Sequence, residues 1–505
     1  MRNKYISCYV AAFCAGLLST ACNDFLDEVP DNRTVIDTPE AVSELLVSAY
    51  PDANCVFFTE SMSDNVTDRG NTLDPYVQPD WNRANRQAFY WEDIDMTYQD
   101  SPNYFWMASY QAIAAANHAL EAIAELEAKG VDCFAQKGEA LLCRAYNHFM
   151  LVNVFAQHYN PAFAATDMGA YVTEPEKEVF GHYERVSVKE TYDKIRKDLE
   201  EGLPLISNKA YGDTPKYHFT REAAQAFACR FYLYVGEWQK AIDAADEALG
   251  DNPTLRNWNE YIQMSTANRE KNYTSVQESA NLLLASTVSQ FAVDQSFYRY
   301  GYSTAVNNSL FQQNDNVVNG VWAYRAEAYN VSSEALTMMK WKPYLKSDGV
   351  NSNSGIYYVM DPLFTTDEVV CDRIEALAMA GRYDEACEDI ELFLTNKVKN
   401  YDSIAQPVTS LMVETYYKKF APLHPFYENQ MSEKQMAFVN CAVDFRRREL
   451  LMEGGRWFDI KRFDIEITHE AYQTGATDVL ARRDLRRAVQ IPEEVISYGV
   501  VPNPR

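Results

Sequence analysis

The sequence predicts a mainly α-helical protein, in which helix pairs form a scaffold that two long irregular inserts interrupt. Apolar residues recur at intervals of three, four or seven over long stretches, which is the period of one helix face. Two regions, about 50–103 and 254–365, lack this period and are broken by Pro or Gly. The 505-residue chain is 47% hydrophobic, which suffices for a sizeable core and excludes wholesale disorder.

The N-terminus predicts export and lipidation. Arg2 and Lys4 precede an apolar stretch at 6–18, which is too short to span a bilayer comfortably. The Ser-Thr-Ala-Cys sequence that ends at Cys22 resembles a lipobox, in which the Cys sulfur carries the lipid. We therefore expect residues 1–21 to be a lipoprotein signal peptide and Cys22 to be the lipid anchor. The alternative is an ordinary secretory signal with an incidental cysteine.

The region after Cys22 is polar, and residues 22–40 are predicted to form a tether. Its first acidic residues resemble the surface-export signal of Bacteroidetes lipoproteins. No later run of about 18 apolar residues occurs, so we expect a chain that is anchored to a membrane without spanning it. The formal net charge of -26 argues against nucleic acid and anionic membrane surfaces as partners.

The first scaffold helices are predicted at 104–128 and 134–157. Each carries a single apolar stripe, and Gly130 between them suits a helix C-terminus, so the two segments form a helical hairpin. The segment from Gly236 resembles the turn and second helix of a tetratricopeptide repeat, with Trp238 as its large packing residue.

The same frame recurs from Gly381, where Phe393 occupies a position that is small in such repeats. This copy is therefore degenerate. Segments at 187–202 and near 433–453 are predicted to complete a fourth helix pair. The two clear copies lie 145 residues apart, so the chain is not a simple tandem array.

Several segments together resemble the RagB/SusD nutrient-uptake family. The sequence FRRRELLMEGGRWFDIKRF at 445–463 is similar to the family signature, and 138–146 and 192–200 are similar to two further family segments. The ending, AVQIP at 488–492 with Asn-Pro at 503–504, is also typical. One departure occurs at 157–161, where family members usually have a short turn that resembles Gly-Asp-Val-Pro.

The resemblance implies a single SusD-like α-helical domain at 41–505, with four tetratricopeptide-like helix pairs in a scaffold at about 104–253 and 366–463. It also implies a lipid-anchored protein on the extracellular face of the outer membrane, without a cofactor. Family members bind oligosaccharides or polysaccharides without hydrolysing them, and sit as a lid on a SusC-like TonB-dependent transporter. The inserts build the ligand site.

Aromatic residues in the two inserts are the candidate ligand contacts, because the apolar faces of sugar rings lie flat on Trp and Tyr rings. Polar neighbours would bond the sugar hydroxyls. The first insert supplies Asp64, Arg69, Tyr76, Trp81, Asn82 and Trp91. The second supplies Tyr298, Tyr300, Trp322 and Tyr324. The alternative is that these rings only pack the inserts onto the scaffold.

Other functions are weighed against this one. Glu449 and Glu453 share a helix face and could serve a glycosidase, but ion pairs with Arg446, Arg447, Arg448 and Arg456 are the better interpretation. A repeat protein that binds peptides or glycoprotein fragments is the main alternative.

Metal and redox chemistry are not expected. The histidines have no ligand spacing, and Asn314, Asp315 and Asn316 are better explained as a solvated turn than as a calcium loop. Cys143, Cys229 and Cys387 lie in apolar helical patterns and are predicted to be buried thiols.

Overall fold

A computed structural model describes residues 36–170, 184–212, 215–311, 315–328, 332–349 and 354–505. The predicted signal peptide, Cys22 and Asn314 lie outside these ranges. Helices dominate the described chain, as the sequence predicts. The first nine are α1 Pro39–Leu46, α2 Val56–Ser61, α3 Pro79–Phe89, α4 Pro102–Ala128, α5 Phe134–Phe155, α6 Val188–Gly202, α7 Arg221–Val235, α8 Trp238–Leu249 and α9 Trp258–Tyr261. The next nine are α10 Thr266–Tyr273, α11 Phe291–Asp294, α12 Thr304–Phe311, α13 Thr366–Met379, α14 Tyr383–Lys397, α15 Ser410–Tyr417, α16 Glu433–Glu449, α17 Gly455–Arg462 and α18 Glu493–Ser497.

The predicted helical hairpin is confirmed as α4 and α5, which pack side by side. Helix α4 begins where the Ser101 hydroxyl accepts the backbone N–H of Tyr104, with Pro102 at the first helical position. In the turn after the helix, Gly130 adopts a φ of 82°. Neither α4 nor any other helix in the described ranges is long and apolar enough to cross a membrane.

The two repeat-like segments are confirmed as α7–α8 and α13–α14. Gly236 ends α7 in the left-handed conformation, and a Cβ there would lie 3.0 Å from the Phe426 ring, so the tight turn needs glycine. Trp238 then packs edge-on against Tyr427. In the degenerate copy, the buried Phe393 stacks on Phe445 at 4.3 Å, so a ring fills the space between helices.

The predicted fourth pair is wrong, because the helices at 188–202 and 433–449 do not pack on each other as a pair. Helix α6 packs mainly against α5, whereas α16 packs against α13 and α15. The helices at 188–202 and 433–449 exist as predicted, but each extends a different part of the scaffold. Periodicity shows that a helix has an apolar face, and tertiary contacts decide which helix covers it.

The inserts contain more regular structure than the sequence predicts. Their strands are β1 Thr67–Asp68, β2 Asn281–Val288, β3 Tyr300–Gly301, β4 Glu327–Ala328, β5 Leu336–Thr337, β6 Tyr344–Ser347 and β7 Gly355–Thr365. Two later strands, β8 Ile467–Glu470 and β9 Thr477–Leu480, form a hairpin near the C-terminus. The largest sheet has the order β2-β7-β6, and all its pairs are antiparallel.

The signature segment folds into the end of α16, a turn and α17. Gly454 in the turn has a φ of 74°, and a Cβ there would lie 2.3 Å from the Thr59 Oγ1. Two backbone N–H groups of the turn, those of Met452 and Gly454, donate to the buried Glu60 carboxylate at 2.9 and 3.0 Å. The signature therefore fixes the first insert to the scaffold through a glycine turn.

Candidate functional site

The two inserts join each other through a short ladder and buried polar contacts. Strand β1 pairs with β3, and beside it the Arg299 guanidinium contacts the buried Asp68 carboxylate at 2.8 Å. The Arg69 side chain crosses between the inserts and donates to the carbonyls of Tyr298 and Tyr302. The Asn85 amide on α3 donates to the Tyr300 carbonyl at 2.9 Å. These contacts make the two inserts one unit.

Burial alternates from Phe297 to Tyr300, where a turn and a bend lead from α11 into β3. Tyr298, Tyr300 and Tyr302 are buried, whereas Phe297 and Arg299 between them are partly exposed. Phe297 packs its other side on the core. The Tyr76 ring stacks on Phe297, with 5.7 Å between centroids and 24° between planes, and remains 54% exposed. One ring from each insert therefore meets at the surface.

A second ring pair lies on the first insert. Trp81 and Tyr98 are both partly exposed, with 5.0 Å between their centroids. The Trp81 indole N–H donates to the buried Asp100 carboxylate at 3.3 Å, which fixes the ring orientation. That carboxylate also accepts the backbone N–H of Gln290 at 2.7 Å, directly before α11. Asp100 thereby joins Trp81 to the start of the segment that carries Phe297. We call Tyr76, Trp81, Tyr98 and Phe297 the aromatic platform.

Polar groups border the aromatic platform. The Asn82 amide donates to the carbonyls of Asp74 and Val77, which holds the Tyr76 segment against α3. Arg83 contacts Asp80 at 2.7 Å and Asp95 at 2.9 Å, and all three side chains are exposed by 45% or more. Carboxylate and guanidinium groups are thus exposed beside the rings.

The electrostatics of the border differ with exposure. A hydrogen bond from Tyr98, followed by one from Arg83, holds the pKa of Asp80 below its usual range, so this exposed carboxylate stays ionised. Burial raises the pKa of Asp294 on α11 to about 6. Asp80 therefore carries its charge at the exposed border, whereas the Asp294 carboxyl group is buried.

The whole fold is shared with solved structures of one superfamily. A SusD superfamily protein from Bacteroides thetaiotaomicron VPI-5482 is 18% identical, with 93% of this chain and 100% of that chain covered, at a TM-score of 0.66. A SusD-like carbohydrate binding protein from Bacteroides vulgatus ATCC 8482 is 17% identical, with 91% of this chain and 96% of that chain covered, at a TM-score of 0.62. A laminarin binding SusD-like protein is 16% identical, with 92% of this chain and 98% of that chain covered, at a TM-score of 0.56.

A sequence model of the SusD-like group, described as "Starch-binding associating with outer membrane", matches residues 24–233. The chain therefore has a SusD-like fold, and its residues 24–233 match the SusD-like sequence group. The expected fold resemblance is thereby confirmed. No curated protein matches this chain in a sequence comparison.

Three predicted site residues lie at the aromatic platform or its border. Tyr76 and Trp81 are platform rings, and Asn82 supports them through its backbone contacts. Whether these residues contact a ligand stays a prediction.

Five predicted rings are buried, so the expectation that they present open faces is wrong. Trp91 stacks on His469, and Trp322 packs against Phe445. Tyr298 and Tyr300 pack beneath the insert junction. The Tyr324 hydroxyl donates to Glu449 at 2.6 Å. Their exposures are all 8% or less. The packing of inserts on the scaffold, which was the alternative explanation, accounts for these rings.

Two predicted polar residues have structural partners. Arg69 is buried and donates to backbone carbonyls at the insert junction. Asp64 is held by the guanidinium groups of Arg447 at 3.2 Å and Arg456 at 2.8 Å. Burial opposes ionisation of Asp64, but Arg447 and Arg456 keep its pKa below the usual range.

Tyr98 and Phe297 are platform residues that sequence reasoning missed. If residues 297–300 are taken as a strand, alternate side chains face opposite ways, and this pattern gives a signal for Phe297. If Tyr298 and Tyr300 face the core, then Phe297 and Arg299 face outward. Tyr98 lies in an irregular stretch without such a pattern, so no comparable signal identifies it.

The Glu449 and Glu453 carboxylates have cationic partners, but not the predicted ones. Glu449 contacts Lys397 at 2.9 Å and Arg256 at 3.3 Å, and Glu453 contacts Lys340 at 2.6 Å. Burial opposes ionisation of Glu449, yet Lys397 and Arg256 lower its pKa. A buried carboxylate that holds its charge is unsuited to act as a general acid.

The remaining sequence predictions concern metals and thiols. Within the described ranges, no group of three or more His, Cys, Asp or Glu side chains could hold a metal ion. Asp315 contacts Lys419 at 3.1 Å. The predicted buried thiols Cys143, Cys229 and Cys387 are buried and free.

Proposed function

We propose that the protein binds oligosaccharides or polysaccharides on the aromatic platform. The observation that carries this proposal is the pairing of Tyr76 with Phe297 and of Trp81 with Tyr98 at the surface. Each pair has core packing behind it and exposed ring area in front. The apolar face of a sugar ring would cover that area, and its hydroxyls would bond the polar groups of the border.

The names of related proteins support a glycan ligand. One relative with this fold is a laminarin binding protein, and the matching sequence group is described as starch-binding. The platform is open, so the ligand would keep part of its hydration and bind with modest affinity. Release to a transporter is compatible with modest affinity.

We further propose that the protein works on the extracellular face of the outer membrane, anchored through Cys22, and delivers its ligand to a SusC-like TonB-dependent transporter without hydrolysing it. The outer-membrane association in the description of the sequence group supports the location. The cationic partners of Glu449 and Glu453 support binding without hydrolysis, because neither carboxylate is free for acid–base chemistry.

Affinity electrophoresis against a panel of neutral and charged polysaccharides tests the binding proposal. We expect at least one polysaccharide to retard the protein, and Tyr76→Ala and Trp81→Ala to reduce the retardation. Tyr498→Ala is the matched control, because Tyr498 is 78% exposed but lies after α18 at the C-terminus. Retention on peptide arrays alone would favour the peptide-binding alternative. Release of reducing ends by the purified protein would favour a glycosidase.

A Cys22→Ala variant tests the anchor. We expect this variant to be lost from the outer-membrane fraction and from surface labelling of intact cells. Normal surface labelling of the variant would refute the lipid anchor. Co-purification of a TonB-dependent transporter with the tagged native chain tests delivery, and its absence from a membrane extract that retains the anchored protein would count against the transporter partner.

A further inference from the structure

The signature segment lines a cavity that the aromatic platform does not use. This cavity of about 100 Å³ lies between helices α5, α7, α13, α16 and α17, strand β7 and the start of the first insert. A buried water needs about 10–15 Å³. The cavity therefore has room for several waters or for one molecule of a few heavy atoms. Met150, Leu363 and Phe458 in its lining are only partly buried.

Acidic groups outnumber basic groups in the lining. The five carboxyl groups belong to Asp361, Glu368, Asp372, Glu453 and Asp459. The three guanidinium groups belong to Arg230, Arg446 and Arg462. With every group ionised, five negative and three positive charges leave a formal charge of -2. A cation is therefore favoured over an anion in this cavity.

Several of these carboxylates have oxygen atoms without a donor. The Asp361 side chain is 9% exposed and, within the described residues, no side chain or backbone N–H donates to its carboxylate. Asp372 Oδ2 and Asp459 Oδ2 are also buried and have no hydrogen-bond partner in the described structure. Buried polar groups are normally hydrogen-bonded, so the Asp361 carboxylate needs an N–H or O–H donor inside the cavity, whereas Asp372 Oδ2 and Asp459 Oδ2 have no accessible surface through which a ligand could reach them.

Aromatic side chains form the other part of the lining. The rings are those of Phe105, Tyr146, Phe149, Tyr234 and Phe458. Ring faces stabilise cations and also cover alkyl groups. A ligand that suits this lining is small, carries positive charge, has several N–H donors and has a short apolar part.

We propose that this cavity binds a small organic ammonium ion, whose N–H groups donate to Asp361 and whose alkyl part lies against the aromatic rings. Binding is linked to protons. Burial, together with the charge of Glu453, raises the pKa of Asp361 to about 7, and burial also raises the pKa of Asp372. The cation displaces protons from these carboxyl groups, so its affinity rises between pH 6 and pH 8.

Isothermal titration calorimetry of the full chain with ethylammonium chloride tests the proposal, with ethanol and sodium acetate as neutral and anionic probes of similar size. We expect ethylammonium alone to bind, more tightly at pH 8 than at pH 6, with proton release that makes the heat depend on the ionisation enthalpy of the buffer. Equal binding of ethanol, or no binding of ethylammonium, would overturn the proposal and leave a water-filled cavity.

The Asp361→Asn variant tests the assignment of the residue. Loss of its charge is expected to weaken ethylammonium binding about tenfold or more. Glu270→Gln is the control, because burial also raises the pKa of Glu270 but it does not line the cavity. Unchanged ethylammonium affinity in Asp361→Asn would refute the site. If that variant fails to fold, the comparison of ethylammonium with ethanol on the native chain still decides the question.

Discussion

Tyr76→Ala is expected to weaken glycan binding about five- to thirtyfold without unfolding the protein. A tyrosine offers about 200 Å² when fully covered. Tyr76 is 54% exposed, so about half of that area is available to a ligand. At about 25 cal/mol per Å², full coverage of this half would contribute roughly 2.5 kcal/mol. Desolvation of hydroxyl groups lowers the net value to about 1–2 kcal/mol.

The loss of the Tyr76 ring removes little from the native fold. Its stack on Phe297 contributes about 0.5–1.5 kcal/mol, and the 54% of the residue that is exposed contributes nothing to folding. Titration calorimetry with an oligosaccharide from the electrophoresis panel measures the change in Kd, and thermal unfolding measures stability. An unchanged Kd in Tyr76→Ala, or an equal loss in the Tyr498→Ala control, would refute the assignment of the ring.

The remaining predictions concern stability. Gly454→Ala is expected to cost about 2–4 kcal/mol in the free energy of unfolding, because the new Cβ would lie 2.3 Å from a threonine oxygen. Gly130→Ala is the control. It is expected to cost only about 1–2 kcal/mol for the left-handed backbone, because the space around its Cβ is open. Equal losses in urea unfolding would contradict this. Lys461→Met is expected to cost about 2–4 kcal/mol, because the buried ammonium donates to carbonyls at the C-terminus of α5, and the exposed Lys129→Met is the control. Asp361→Asn is expected to stabilise the protein at pH 8 by up to roughly 4 kcal/mol and to do little near pH 4, because the stability associated with the protonated carboxyl is lost as pH rises through its raised pKa of about 7. Identical effects of Asp361→Asn on stability at both pH values would refute the raised pKa of the Asp361 carboxyl group.

The helical scaffold was predictable because its signals are local. Apolar stripes and the glycine turns at Gly236 and Gly381 define helices and repeat-like pairs within a few residues of sequence. The partners of α6 and α16 were not predictable, because any apolar face can cover any other. The short strands of the inserts are also fixed by distant pairing, such as that of β1 with β3.

The candidate site was predictable only by region. Nothing in the residue type or the local sequence of Tyr298 and Tyr300 distinguishes them from exposed ligand contacts, but both rings are buried in the structure. The same limit applies to Glu449, whose partners Lys397 and Arg256 are distant in sequence, while the neighbouring Arg446 instead contacts Asp459 and Glu375. Alternation reveals which side chains share a face, but burial decides which face remains for a ligand.

A crystal structure of the protein with an oligosaccharide retained in the electrophoresis panel tests the central proposal most directly. We expect sugar rings to lie flat against Tyr76 and Trp81, with hydroxyls bonded to polar groups of the platform border. A sugar bound at another surface, with all four platform rings left uncovered, would contradict the proposed site.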